Sequence, residues 1–221
     1  EWKYEPKKIE RGYAGRTLYV NIGDRSFKEK PVTEDMKEKF VGGRGFGLKL
    51  LWDAVKDTTK WNDPENELVI SGGPLCGITQ YPGSGKCYTV FISPLTEQTY
   101  DSNAGGYFGP LLKFSGWDAL EVQGKSDRDV ILFIDGDNNK VEVYESPFED
   151  INAVTITEAL HEYFADSEED KRNISVASTG KGAETTNWGC LNMSFYDLRR
   201  KTPRLKQAGR GGGGTVFRDK K

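Results

Sequence analysis

Apolar and polar positions alternate at 16–21, RTLYVN, and predict a strand. Gly23 and Asp24 turn the chain, and a second short strand precedes Pro31. Thr33 followed by Glu34, Asp35 and Met36 predicts a capped helix with Met36 and Phe40 on one side. Leu48, Leu51, Trp52 and Val55 recur at helical spacing and predict a second, amphipathic helix. Residues 68–71, LVIS, and 88–93, YTVFIS, read as strands interrupted by GGPLCG at 72–77. Residues 94–109 read as a long loop, and Leu111, Leu112 and Phe114 as a short helix. Residues 119–123, 130–134 and 141–144 predict an antiparallel meander, its last two strands joined by the turn DGDNN at 135–139. Val154 to Phe164 reads as a helix and Ile174 to Ala177 as a strand, whereas 178–221 has no clear period. With no linker and no repeat, residues 1–221 are read as one α+β domain of many short strands.

Glycine changes this picture. It supplies 26 of 221 residues, well above the usual share of about 7%. The glycines sit in tight groups between apolar segments, where they let backbone approach a ligand or adopt positive φ. The net charge of −3 argues against a nucleic-acid partner. Arg199, Arg200, Lys201, Arg204, Lys206 and Arg210 do cluster, as a solvated basic face or as an anion site. The three cysteines, Cys76, Cys87 and Cys190, are odd in number and widely spaced. That predicts no disulfide framework, consistent with a cytoplasmic protein, and too few ligands for a zinc or iron–sulfur centre within the chain. The single histidine, His161, is read as an ordinary helix or surface residue rather than a catalytic base. The sequence has no apolar run of membrane-spanning length, and the charged segment 1–10 has no signal or transit pattern.

Four glycine groups carry candidate chemistry. Gly42-Gly43-Arg44-Gly45-Phe46-Gly47 opens the second helix, as an N-terminal cap or as an anion site. It is not a dinucleotide fingerprint, because Leu48 stands where the third glycine is needed. Pro82-Gly83-Ser84-Gly85-Lys86-Cys87 is not a P-loop, because Gln80 and Cys87 replace the required glycine and hydroxyl, but Lys86 can meet a phosphate as a point charge. The third and fourth groups run from Asp101 to Gly109 and from Gln207 to Gly214. Arg210 offers a guanidinium fork to phosphate, and Asn103 a side-chain oxygen to a hard cation such as magnesium. Together the groups imply a large, phosphate-bearing ligand.

The ordered set GYAGRTLYVN, GGRGFG, GPLCG, SPLT, DSNAGGYFG, LKFSGWDALEVQG and AGRGG resembles the N-terminal domain of the aldehyde:ferredoxin oxidoreductase family over residues 12–217. The resemblance implies two β-sheets related by a pseudo-twofold axis, forming a base with flanking helices under a tungsten (or molybdenum) bis-pterin whose phosphates share a magnesium. It implies Asn103 and the Ala208 backbone carbonyl as magnesium ligands. Ala104 and Gly105 would lie beside one pterin, and Gly209 and Arg210 would contact pterin phosphate. Lys86 and Gln207 stand where the family has basic residues and are taken as further cofactor contacts. A [4Fe–4S] cluster and the catalytic residues would belong to C-terminal domains or a separate large subunit, with ferredoxin or an iron–sulfur subunit as electron partner. The implied reaction is oxidation of aldehydes to carboxylates. The stretch Arg204–Arg210 more closely resembles the branch holding the tungsten-dependent class II benzoyl-CoA reductase catalytic subunit. A non-catalytic pterin-binding assembly module is a third expectation.

Overall fold

The structure, a computed structural model, describes residues 1–148 and 152–221. Its strands are β1 (Trp2–Lys3), β2 (Arg16–Asn21), β3 (Ser26–Pro31), β4 (Leu68–Gly72), β5 (Cys87–Ile92), β6 (Thr99–Ala104), β7 (Ala119–Gln123), β8 (Val130–Asp135), β9 (Lys140–Glu145), β10 (Ala177–Ser178), β11 (Leu191–Asp197) and β12 (Thr202–Ala208). Its helices are α1 (Glu34–Phe40), α2 (Arg44–Ala54), α3 (Phe108–Phe114), α4 (Ala153–Phe164) and α5 (Gly213–Lys220).

The main sheet has six strands in the order β3-β2-β7-β4-β5-β6. All its neighbours are antiparallel except β2 and β7. Both faces of its centre are covered, which is why β4 reads as a continuous apolar run. On one face Val69, Val90 and Ala119 pack against Phe46, Leu50 and Leu51 of α2. Gly47 permits this approach, since a Cβ there would come within 2.4 Å of Val90 Cγ2. On the other face Leu18, Ile70, Phe91 and Leu120 join Leu191, Met193 and Val216 in the larger core.

The α+β architecture of sheets with flanking helices is present, with the second sheet divided into two three-stranded parts, β1-β9-β8 and β10-β11-β12. The hairpins β5–β6 and β11–β12 share a register, with Cys87 opposite Ala104 and Leu191 opposite Ala208.

Several local expectations need correction. The α2 stripe was read one face off: Leu51 is buried, but Leu48 and Trp52 point outward, with Trp52 81% exposed. Gly43 and Gly47 explain this, because they lie against Tyr88 and Val90 of β5 and let the Phe46, Gly47, Leu50 face approach the sheet most closely. The 119–144 meander is not one sheet, since β7 pairs with β2 and β4 while β8 and β9 form a separate hairpin. The 94–109 loop contains β6, and the patternless tail contains β11, β12 and α5. The strand expected at 174–177 is reduced to β10, preceded by a 3-10 turn at Asp170–Asn173. The Thr33 cap is as expected: its side chain accepts from Met36 N at 3.1 Å.

Candidate cofactor-binding site

The four glycine groups are far apart in sequence and converge on the open edge of β5–β6. In the first, Gly43 (φ +52) starts α2 and lies against the Tyr88 ring. Arg44 donates Nε to Asp101 Oδ2 at 3.0 Å, and its guanidinium lies 5.1 Å from the Tyr88 ring centroid. In the second, Gly85 faces the Gly106 carbonyl, which a Cβ would approach to 3.0 Å. Lys86 Nζ donates to Asn103 Oδ1 at 2.9 Å. In the third, Gly106 takes φ +88 with the Met193 and Ser194 carbonyls 3.0 Å from where a Cβ would be, and Tyr107 N donates to Ser194 O at 3.0 Å. In the fourth, Arg210 N donates to Ser102 Oγ at 3.1 Å, and Ser93 Oγ donates to Gly211 O at 2.7 Å. These bonds stitch the end of β6 to the end of β12.

Strand alternation decides which residues face outward. Ala104 and Ala208 close the two hairpins inside the core. Asn103, Gln207, Gly209 and Arg210 are exposed and Gly105 half-buried. Gly105 lies beside Lys206, whose Cγ would be 3.5 Å from an added Cβ. Lys86, Lys206 and Arg210 have no carboxylate within ion-pair distance among the described residues, whereas Asp101 is neutralised by Arg44. The surface is therefore net cationic around glycine backbone.

A phosphate-bearing group fits these residues. Two ammonium groups and a guanidinium supply charge, and the glycines leave the backbone open to close approach. The Asn103 amide oxygen accepts from Lys86 yet keeps a second lone pair for a hard cation. The fit is weaker at Ala208, which is fully enclosed and does not present its carbonyl to solvent in this chain. Among the described residues no group of three His, Cys, Asp or Glu could hold a metal ion.

The basic cluster is not one site. Arg199, Arg200 and Lys201 lie at the turn of β11–β12, with Arg200 paired to Asp197 at 2.8 Å, while Arg210 lies beyond the opposite end of β12. At the rise of a strand that separation is about 20 Å. Arg44, Tyr88 and Ser102 are site residues that pattern reading missed. Their signal lay in the glycine groups and strands already singled out.

His161 is buried, not a surface residue. Its Nε2 lies 3.0 Å from Ser194 Oγ and its Nδ1 3.2 Å from Lys171 O. Lys171 O can only accept, so Nδ1 carries the ring proton and Nε2 accepts from the Ser194 hydroxyl, whose oxygen also accepts from Val176 N at 2.8 Å. Burial lowers the His161 pKa to about 4, so the ring is neutral and structural.

Residues 17–221 match the family described as "Aldehyde ferredoxin oxidoreductase, N-terminal domain". The tungsten-containing aldehyde ferredoxin oxidoreductase of Pyrococcus abyssi is 36% identical over 210 residues, which is 95% of this chain and 32% of that protein. The WOR-like subunit of aliphatic sulfonate oxidoreductase from Pyrococcus furiosus is 31% identical over 94% of this chain and 33% of its own length. Among solved structures, the active site complex BamBC of benzoyl coenzyme A reductase, in complex with 1,5-dienoyl-CoA, superposes with a TM-score of 0.79 at 28% identity. That match covers 95% of this chain and 30% of that one. The chain thus spans about a third of the length of these relatives. No helix of the described residues is long and apolar enough to cross a membrane. With the family match spanning nearly the whole sequence, the chain belongs to the aldehyde ferredoxin oxidoreductase family.

Proposed function

We propose that this chain is the cofactor-binding domain of a cytoplasmic tungsten-pterin oxidoreductase. The observation carrying this reading is the convergence of all four glycine groups on one cationic surface at the ends of β6 and β12. When bound, a tungsten bis-pterin supplies two-electron redox chemistry, and the protein supplies position and charge. Lys86, Lys206 and Arg210 hold the phosphates. Asn103 offers its amide oxygen to magnesium, with Lys86 fixing the orientation of the amide. Ala104 and Ala208 anchor the two strand ends in the core, so that Gly105, Gln207, Gly209 and Arg210 face the ligand.

The substrate reading is oxidation of aldehydes to carboxylates with electrons passed to ferredoxin. The names of the curated relatives support it. A second reading, reduction of an aryl-CoA thioester, is favoured by the likeness to the benzoyl coenzyme A reductase complex. In both, a [4Fe–4S] cluster and the catalytic residues reside in C-terminal domains or a separate large subunit.

The test is metal and pterin analysis of the full-length protein purified without oxygen. Tungsten or molybdenum with two pterins per metal is expected, and a complete protein with neither metal overturns the reading. Viologen reduction driven by aldehydes, compared with that driven by a cyclic dienoyl-CoA, separates the two substrates.

A further inference from the structure

Arg44 opens α2 against the face of the main sheet that carries Asn103, and both its backbone and its side chain are fixed there. The Ser71 hydroxyl donates to Gly43 O at 2.6 Å, and Gly43 N donates to Gly72 O at 2.9 Å, which pins the start of the helix to β4. Asp101 Oδ2 accepts from Arg44 Nε at 3.0 Å. The guanidinium carbon lies 5.1 Å from the centroid of the Tyr88 ring. Holding a long arginine side chain in one conformation costs rotamer entropy. An ion pair whose side chains are 56% and 30% exposed returns little of that cost. The arrangement therefore serves position rather than stability.

The fork of the guanidinium is its free end. With Nε taken by Asp101, Nη1 and Nη2 remain, and neither donates a hydrogen bond to any of the described residues. Two such nitrogens side by side match two oxygens of one phosphate.

Strand register puts this fork beside Lys86. Tyr88 of β5 stands opposite Asn103 of β6, and Asp101 lies two residues before Asn103 on the same face. Two residues of strand span about 7 Å. Lys86 Nζ donates to Asn103 Oδ1 at 2.9 Å. The anchor of Arg44 and the anchor of Lys86 are thus about 7 Å apart on one face. A phosphoryl group that accepts at about 2.8 Å from each side fills a gap of that size.

We propose, on the strength of the cofactor reading of this surface, that Arg44 is a further phosphate-binding residue. Its Nη pair grips the phosphoryl group that Lys86 meets from the other side. Asp101 is the positioning residue: it touches no ligand and acts by holding Nε, which turns the fork outward. Lys86 then supplies a point charge and Arg44 the geometry.

The test is retention of tungsten and pterin through dialysis by the natural protein purified without oxygen, with the melting temperature of the cofactor-stripped protein measured beside it. Arg44→Ala is expected to lower retention about tenfold, as for loss of a hydrogen bond to a charged group, and to leave the stripped protein's melting temperature unchanged. Arg44→Lys keeps the charge without the fork and should fall nearly as far. Asp101→Ala separates position from charge. Removing a carboxylate beside an anion raises retention if charge alone matters, whereas loss of the Nε anchor lowers it. Wild-type retention in Arg44→Ala or Arg44→Lys overturns the proposal, as does increased retention in Asp101→Ala or a fall in the stripped melting temperature that parallels the loss of cofactor. Wild-type protein that carries neither tungsten nor molybdenum, and no pterin, overturns instead the cofactor reading on which the proposal rests.

Discussion

The Lys86 ammonium donates to the Asn103 amide oxygen at 2.9 Å, tying the glycine loop before β5 to the outward-facing end of β6. Both side chains are exposed, so the bond adds little to stability and acts as orientation. Asn103→Ala and Arg210→Ala are expected to lower metal and pterin content of the full-length protein several-fold. Their effect on folding stability should stay within about 0.5 kcal/mol, as for most surface changes. Parallel loss of cofactor and melting temperature would assign these residues a structural role instead.

Gly106 and Gly15 separate two costs of the same substitution. Both have positive φ, +88 and +76, but only Gly106 has carbonyls 3.0 Å from an added Cβ, whereas Gly15 has open space. Gly15→Ala is expected to cost about 1 kcal/mol, from the left-handed backbone alone. Gly106→Ala should cost more, about 2–4 kcal/mol, with displacement of the Tyr107 amide from Ser194. Urea unfolding of the two variants measures the difference.

His161 makes stability depend on acidity. Its folded pKa of about 4 lies below the ordinary histidine value, so the unfolded chain binds the extra proton first as pH falls. Its contribution is whole above about pH 6.5 and is lost progressively toward pH 4. The loss amounts to about 3 kcal/mol. The difference in unfolding free energy between wild type and His161→Gln, followed from pH 7.5 to 4.5, should shrink by that order.

Glu67 has the opposite slope. It is fully buried, its carboxylate oxygens have no hydrogen-bond donor, and it faces the buried Glu121, which is held by Thr17 and Lys30. Burial, and then the Glu121 charge, raise the Glu67 pKa to about 9. The folded protein keeps a proton that the unfolded chain has released above about pH 4.5, so stability falls as pH rises toward 9. Glu67→Gln should leave the melting temperature nearly unchanged at pH 4.5 and raise it at pH 8, by a free energy of about 1–3 kcal/mol. No gain at pH 8 would mean that Glu67 is already ionised in the fold.

What could be read from sequence follows from which forces are local. The strands at 16–21, 68–71 and 88–93 and the Thr33 cap rest on side chains and neighbours within a few residues, and they are present. β6 was missed because Asp101, Ser102 and Asn103 have low strand propensity. They are extended because β5 pairs with them along its whole length. β12 was missed because Pro203, Arg204, Lys206 and Gln207 break any apolar rhythm on a strand exposed at one edge, and β11 is paired with it along its whole length, from Leu191 to Asp197. β7 could not be placed from neighbours alone, since its parallel partner β2 lies about a hundred residues earlier. At the site, each glycine group was legible as a possible ligand contact. Their meeting was not, because Arg44–Asp101 and Arg210–Ser102 are contacts of tertiary structure.

The contact between Cys87 and Met193, with sulfurs 3.1 Å apart in the core, has a practical consequence. Burial raises the Cys87 thiol to about 12 and the Cys76 thiol to about 11, so neither supplies the thiolate that alkylating reagents or peroxide attack. Cys190 is the one partly exposed cysteine, and its sulfur lies 3.9 Å from where a Cβ on Gly209 would stand. The chain thus has a single labelling position beside the Gly209 backbone, where the cofactor phosphate is proposed to bind. A fluorophore or spin label there reports ligand arrival without any engineered residue.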